Sequence, residues 1–189
     1  MTSPLVVGIS GASGALYGVR MLEVLRRIRI PAHLIVSKAA GLTLKEETGM
    51  SIDEVREIAA VSYSNSDVGA AVSSGSFKTR GMVVIPCSIR TLSDIAYGTT
   101  SSLISRAADV ALKERRRLVL VVRETPLHAG HLRSMLAATE SGAVIMPPVP
   151  ALYHKPKTVA EIVDQTIGRC LDLFDIDTGD LVKRWQSNT

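Results

Sequence analysis

Aromatic residues are scarce: two Phe, four Tyr and one Trp make up 4% of 189 residues. Platforms that stack single-stranded nucleic acid are built from such rings, so this ligand class is disfavoured. Cysteine is nearly absent. Cys87 and Cys170 are too few for a disulfide framework and lack metal-ligand spacing; both read as reduced thiols of a cytoplasmic protein. Although 46% of residues are hydrophobic, no apolar run reaches the roughly 20 residues a membrane-spanning helix needs. The N-terminus has no basic segment leading into an apolar stretch and a small-residue cleavage site, so no signal peptide is expected. Acidic charge is in slight deficit, 18 Asp and Glu against 22 Lys and Arg, for a net charge of +4. That excess suits phosphorylated small molecules as well as nucleic acid. The densest basic run, Lys113–Arg117, has Glu114 inside it, which is weaker clustering than a nucleic-acid footprint requires.

What is present is an alternation of short apolar runs and helical stripes. Leu5–Ile9, His33–Val36, Met82–Ile85 and Leu118–Val122 read as buried strands, with Pro86 ending the third. A short strand follows at Ala143–Met146. Met21, Val24, Leu25 and Ile28 recur at i, i+3, i+4, i+7, one face of a helix. Ser37 is placed to cap a helix running toward Thr48, and Ser51 with Glu54 forms a capping box for a helix over 51–60. Further helices are read over Ser88–Tyr97, Ser102–Arg115 and His128–Glu140, and a strong stripe runs from Val159 to Phe174. Apolar strands alternating with amphipathic helices predict an α/β fold: one Rossmann-like (flavodoxin-like) domain over residues 1–189, its mostly parallel sheet covered on both faces. The Ser/Gly-rich stretch Val72–Phe77 is the expected mobile loop. Met146–Pro156, rich in proline, is expected to form an ordered wall or lid.

In an open parallel sheet, ligands bind beyond the carboxyl ends of the strands. Four such ends carry suggestive residues: Ser10–Gly14, Ser37–Lys38, Pro86–Thr91 and Arg123–Pro126. The first loop reads GxxGxxG, not the dinucleotide fingerprint GxGxxG, and no acid stands at the end of the second strand. Helix N-termini with Ser and Thr hydroxyls suit a mononucleotide phosphate, but plain turn chemistry also explains glycines and serines there. Arg106, Asp109 and Lys113 share a helix face, which is ordinarily a solvated one. Arg123 and Glu124 follow a buried strand, where charge must be paired or functional. Arg169 beside the last apolar stripe reads equally as a surface arginine covering it, and Glu47 as a solvated carboxylate. Tyr153 and His154 lie in the proline-rich wall. His128 and His131 would need further ligands to hold a metal. Cys87 reads as a small buried residue rather than a nucleophile.

GISGASGALYGVR, SKAA, EET, SGSF, PCSIRTLSDIAYG, RAADVALKERRRLVLVVRETPLH, GAVIMPPVPALYHKP and the terminal RW together resemble the UbiX-like flavin prenyltransferases over nearly the whole chain, from about Leu5 to Trp185. Arg117 departs from the proline that many members carry there. The resemblance implies a protein that binds FMN and, without a metal, transfers a dimethylallyl group from dimethylallyl monophosphate to the reduced flavin. The product, prenylated FMN, has a fourth ring across N5 and C6 and serves UbiD-type decarboxylases. Members are homo-oligomers, typically dodecamers, with sites at subunit contacts. By motif, Gly11, Ala12 and Ser13 would hold the flavin, with Ser13 near N5. Ser37 and the turn Ser88, Ile89, Arg90 and Thr91 would bind the phosphate side, and Arg123 would also contact FMN. Lys113, Tyr153 and Arg169 would hold the prenyl phosphate, helped by Ser74, Arg106 and Glu124. Glu47 would handle protons.

Two other readings stand beside this one. An FMN-dependent cysteine decarboxylase of the related flavoproteins would need an Asn-containing PxMNxxM-type segment, and MPPVPALYHKP has no such Asn. A non-catalytic flavin carrier, or an accessory subunit of an aromatic-acid decarboxylase, would have no use for a second phosphate cluster.

Overall fold

The structure, a computed structural model, describes residues 3–185. Six parallel strands form one sheet: β1 (Leu5–Ile9), β2 (Ala32–Val36), β3 (Val61–Ser64), β4 (Gly81–Cys87), β5 (Arg117–Val122) and β6 (Val144–Ile145), in the order β3-β2-β1-β4-β5-β6. The chain winds outward from β1 in one direction, then returns to β4 and winds the other way. The order therefore reverses between β1 and β4, where a doubly wound sheet opens its binding crevice.

Helices α1 (Ala15–Arg27), α2 (Ala40–Thr48), α3 (Ile52–Arg56), α4 (Ile89–Ala96), α5 (Leu103–Lys113), α6 (Ala129–Glu140) and α7 (Val159–Asp172) cover both faces. α1 and α7 bury Val19, Leu22, Val163 and Ile167 against Val7, Val83 and Val121 on one face. α4, α5 and α6 bury Leu92, Ile104, Ala108 and Ala138 against Met82, Val84 and Leu120 on the other. β5 is buried from Leu118 to Val122, as a two-sided parallel strand must be. Among the described residues no helix is long and apolar enough to cross a membrane.

Several local expectations are corrected. β3 is an edge strand absent from the sequence reading: VSYS is short and half-exposed. The helix expected over 51–60 is only α3, although the Ser51–Glu54 capping box forms as read. Pro86 does not end its strand. β4 continues to Cys87, and the ladder shifts register between Val84 and Cys87, so the proline sits where an N–H is not called for. The Val72–Phe77 stretch is anchored: Val72 is buried, and the Arg116 guanidinium donates to Phe77 O (2.7 Å) and Gly75 O (2.6 Å). The proline-rich wall is irregular apart from a 3-10 turn at Leu152–His154.

Ser10 stitches the two central strand ends together. Its buried hydroxyl donates to Pro86 O (2.9 Å) and accepts from the Ser88 N–H (2.8 Å). Ser10→Ala leaves the Ser88 N–H unpaired beneath the crevice, while Pro86 O keeps the Ser10 backbone N–H (3.2 Å) as its remaining donor. The expected loss is about 1–3 kcal/mol of unfolding free energy, read from urea denaturation; a midpoint equal to wild type would show that other groups tie β1 to β4.

Candidate functional site

Because every strand runs the same way, the exits of β1, β2, β4 and β5 lie on one sheet edge. The β1 exit, Ser10–Gly14, presses on the β2 exit. A Cβ on Gly11 would stand 2.5 Å from the Ala39 Cβ, so any larger residue must displace one of the two loops. Gly14 has φ +101°, a left-handed conformation that glycine adopts without strain. A Cβ there would lie 3.8 Å from Arg123 Cγ, which places the β5 exit arginine at the same loop. Arg123 and Glu124 are exposed, not buried behind their strand. The Glu124 carboxylate accepts from its neighbour Thr125 N–H (3.0 Å).

Beside the glycine loop is a cavity of about 370 Å³ lined by Gly11, Ser37, Lys38, Ser88, Arg90 and Thr91. Ser88 caps α4: its hydroxyl accepts from Thr91 N–H (3.3 Å) and donates to Thr91 Oγ1 (3.1 Å). The first-turn N–H groups of Ile89 and Arg90 have no helical acceptor of their own, so together with the hydroxyls they fit a phosphate. Ser37 accepts from Ala40 N–H (3.1 Å), which holds its hydroxyl at the cavity wall. The far wall was not anticipated from sequence. Asn65, Asp94, Ser101 and Ser102 form it, and the Asn65 carboxamide oxygen is fixed by Ile104 N–H (3.0 Å). The missing signal was β3, whose exit delivers Asn65.

The N-terminus of α1 is not open to a phosphate. Glu47, from the end of α2, occupies it and accepts from Gly14 N–H (2.9 Å) and Ala15 N–H (2.7 Å). α1 has no acid in its own first turn, so this carboxylate supplies the negative charge that the helix end favours. It also places Glu47 next to Ser13, which is exposed on the loop.

The residues considered for a second phosphate are dispersed within one copy. Lys113 ends α5 at the opposite sheet edge from the crevice, paired with Glu114 (2.7 Å). Ser74 is near it: a Cβ on the adjoining Gly75 would lie 2.8 Å from Lys113 Nζ, and the Ser74 hydroxyl shares a hydrogen bond with Ser76 (2.9 Å). Arg106, earlier on α5, pairs with Asp109 (2.8 Å). Tyr153 and Arg169 belong to the other sheet face. The Tyr153 hydroxyl donates to Lys183 O (3.1 Å), and Arg169 pairs with Asp172. Asp172 is also bound by Arg184 (3.0 Å); the Arg184 guanidinium first, then Arg169, holds its carboxyl below the ordinary carboxylate value.

His128, His131 and Cys87 lie outside these groups. His128 caps α6, and its ring stacks on His131 with centroids 3.6 Å apart; among the described residues no group of three or more ligand side chains forms. Cys87 is fully buried, and burial pushes its thiol far above the ordinary value, the state of an inert thiol.

Fold and site together define a doubly wound α/β protein with a glycine- and hydroxyl-lined cavity at its strand reversal. A family model for the flavoproteins matches residues 2–171. The chain is 58% identical to the flavin prenyltransferase UbiX of Escherichia coli K12, over 96% of this chain and 97% of that one. It superposes on the crystal structure of AnUbiX in complex with FMN and dimethylallyl pyrophosphate with a TM-score of 0.96 at 50% identity, covering 99% of each chain. A dodecameric FMN-dependent UbiX-like decarboxylase from Escherichia coli O157:H7 superposes with a TM-score of 0.94 at 45% identity, over 97% of this chain and 100% of that one. The chain belongs to the UbiX-like flavin prenyltransferases of the flavoprotein family.

Glu47→Ala uncaps α1 and is expected to lower stability by about 1 kcal/mol in urea denaturation. Glu47→Gln keeps one acceptor oxygen and should lose less. Equal losses would mean that the charge, not the acceptor, holds the loop.

Proposed function

We propose that this protein binds FMN with one domain spanning residues 1–189 and transfers a dimethylallyl group from dimethylallyl phosphate to the reduced flavin, producing prenylated FMN for a UbiD-type decarboxylase. The observation that carries this reading is the cavity at the strand reversal. Glycine-lined backbone, a capped helix N-terminus and Ser and Thr hydroxyls converge there on a space suited to a flavin mononucleotide phosphate. Gly11, Ala12 and Ser13 back the ring; Ser37, Ser88, Ile89, Arg90 and Thr91 hold the phosphate side; Arg123 reaches the ring from β5. Bound reduced FMN supplies two nucleophilic ring atoms, N5 and C6.

The donor requires charge. Ionisation of an allylic C–O bond leaves a phosphate, and preorganised cations stabilise the charge that develops on it. Lys113, Arg106 and Arg169 supply those cations, Tyr153 and Ser74 supply hydroxyl donors, and Glu124 adjoins Arg123 at the mouth of the crevice. Glu47, oriented by Gly14 and Ala15, is the base for the proton released on ring closure. One copy holds its Lys113 group and its Tyr153 group apart from the flavin crevice, so the reading includes a homo-oligomer that joins them. A dodecamer like that of the Escherichia coli O157:H7 relative is the assembly proposed. The two reduced, buried cysteines fit a cytoplasmic location.

Lys113→Ala tests the donor assignment. A charge-assisted hydrogen bond contributes about 1.5–3 kcal/mol, so KM for dimethylallyl phosphate should rise roughly tenfold to a hundredfold. FMN affinity, followed by flavin fluorescence quenching, should stay near wild type. Parallel loss of both would make Lys113 structural, as a flavin carrier would have it.

A further inference from the structure

We propose that Gln165 is a positioning residue for the donor phosphate, orienting the Tyr153 hydroxyl and clamping the C-terminal segment Lys183–Trp185 against it. This rests on the assignment of Tyr153 to the donor phosphate made above. Gln165 projects from α7 and is 3% exposed, and a buried carboxamide is costly unless both its ends are paired. Here both ends are used. Its Oε1 accepts from Lys183 N–H (2.9 Å), while its Nε2 donates to Lys183 O (3.2 Å) and to Tyr153 Oη (3.1 Å). Tyr153 in turn donates to the same Lys183 carbonyl (3.1 Å).

The ring of bonds gives the Tyr153 hydroxyl a defined task. Gln165 occupies one lone pair of Oη, so the proton turns between two acceptors, Lys183 O and an incoming phosphate oxygen. When it turns to phosphate, the second N–H of Gln165 remains on Lys183 O. That carbonyl therefore keeps a donor throughout the handover. The same segment adjoins the other donor-side residue: Arg184 and Arg169 share Asp172. Trp185 stands edge-on to Tyr153, with ring centroids 5.5 Å apart. A glutamate at position 165 would keep the acceptor for Lys183 N–H, lose both donors and place negative charge beside the phosphate.

The test uses FMN-loaded protein and dimethylallyl monophosphate, with Gln165→Glu, Tyr153→Phe and the double variant. Gln165→Glu, nearly isosteric, should raise donor KM about tenfold, with kcat and FMN content close to wild type. The double variant is made with Gln165→Leu, which adds no charge, and should be no worse than Tyr153→Phe alone, because Gln165 acts through that hydroxyl. In flavin-free protein, the fluorescence anisotropy of Trp185, the sole tryptophan and an exposed one held edge-on to Tyr153, should fall in Gln165→Leu as the segment releases. Multiplying KM effects in the double variant overturn the proposal, as does an unchanged KM in Gln165→Glu where Tyr153→Phe raises it. If Tyr153→Phe itself leaves donor KM unchanged, the assignment of Tyr153 fails and the positioning role falls with it, even if the anisotropy of Trp185 falls.

Discussion

The pairing of β1 with β4 is the constraint on which the rest of the structure depends. Leu5 to Gly8 run in parallel register with Gly81 to Val84, although these segments lie far apart in sequence. Parallel pairing forces a long crossover between them, and the crossover lays down β2, β3, α1, α2 and α3 on its way. Pairing β4 on the free side of β1 makes the winding reverse there. The two loops leaving β1 and β4 then diverge to opposite faces and leave a crevice between them, bridged at its floor by Ser10. Gly11 and Ser88 reach the same cavity for this reason.

The distribution of charge follows from the same topology. A helix that precedes a parallel strand ends at the edge where that strand begins. Lys113, the last residue of α5, is therefore carried away from the crevice, together with the Ser74 loop that packs on it. Tyr153 and Arg169 belong to the segment after β6, on the face opposite α5. One copy thus presents a hydroxyl-rich cavity, with Lys38, Arg90 and Asp94 in its lining, in one place and the Lys113 and Arg169 groups in two others. The Glu47 carboxylate is brought to the adjoining glycine loop from α2 by capping α1.

The apolar strands and amphipathic helices were legible because burial on both sheet faces writes itself as uninterrupted Val, Ile and Leu, as in Leu118–Val122. The strand-end rule then located Gly11, Ser37, Ser88 and Arg123 on one edge without any coordinates. β3 was missed because an edge strand of VSYS has too little alternation and too much exposure to stand out, and the cavity wall at Asn65 was missed with it. β4 was cut short at Pro86 because a register shift that tolerates proline leaves no local signature. The loop at Val72–Phe77 looked mobile from composition, but its anchor, Arg116, lies some forty positions downstream. Contacts of that range are decided by packing: the capping of α1 by Glu47 and the Gln165 clamp on Lys183 were equally invisible.

The central claim is that this chain forms a carbon–nitrogen and a carbon–carbon bond to FMN. The most direct measurement is anaerobic incubation of the purified protein with FMN, a reductant and dimethylallyl phosphate, followed by denaturation and mass spectrometry of the released flavin. The account predicts a flavin heavier by one C5 prenyl unit. Recovery of unmodified FMN from protein that has bound it, with the monophosphate and the diphosphate donor alike, would contradict the account and leave a flavin carrier or a decarboxylase in its place.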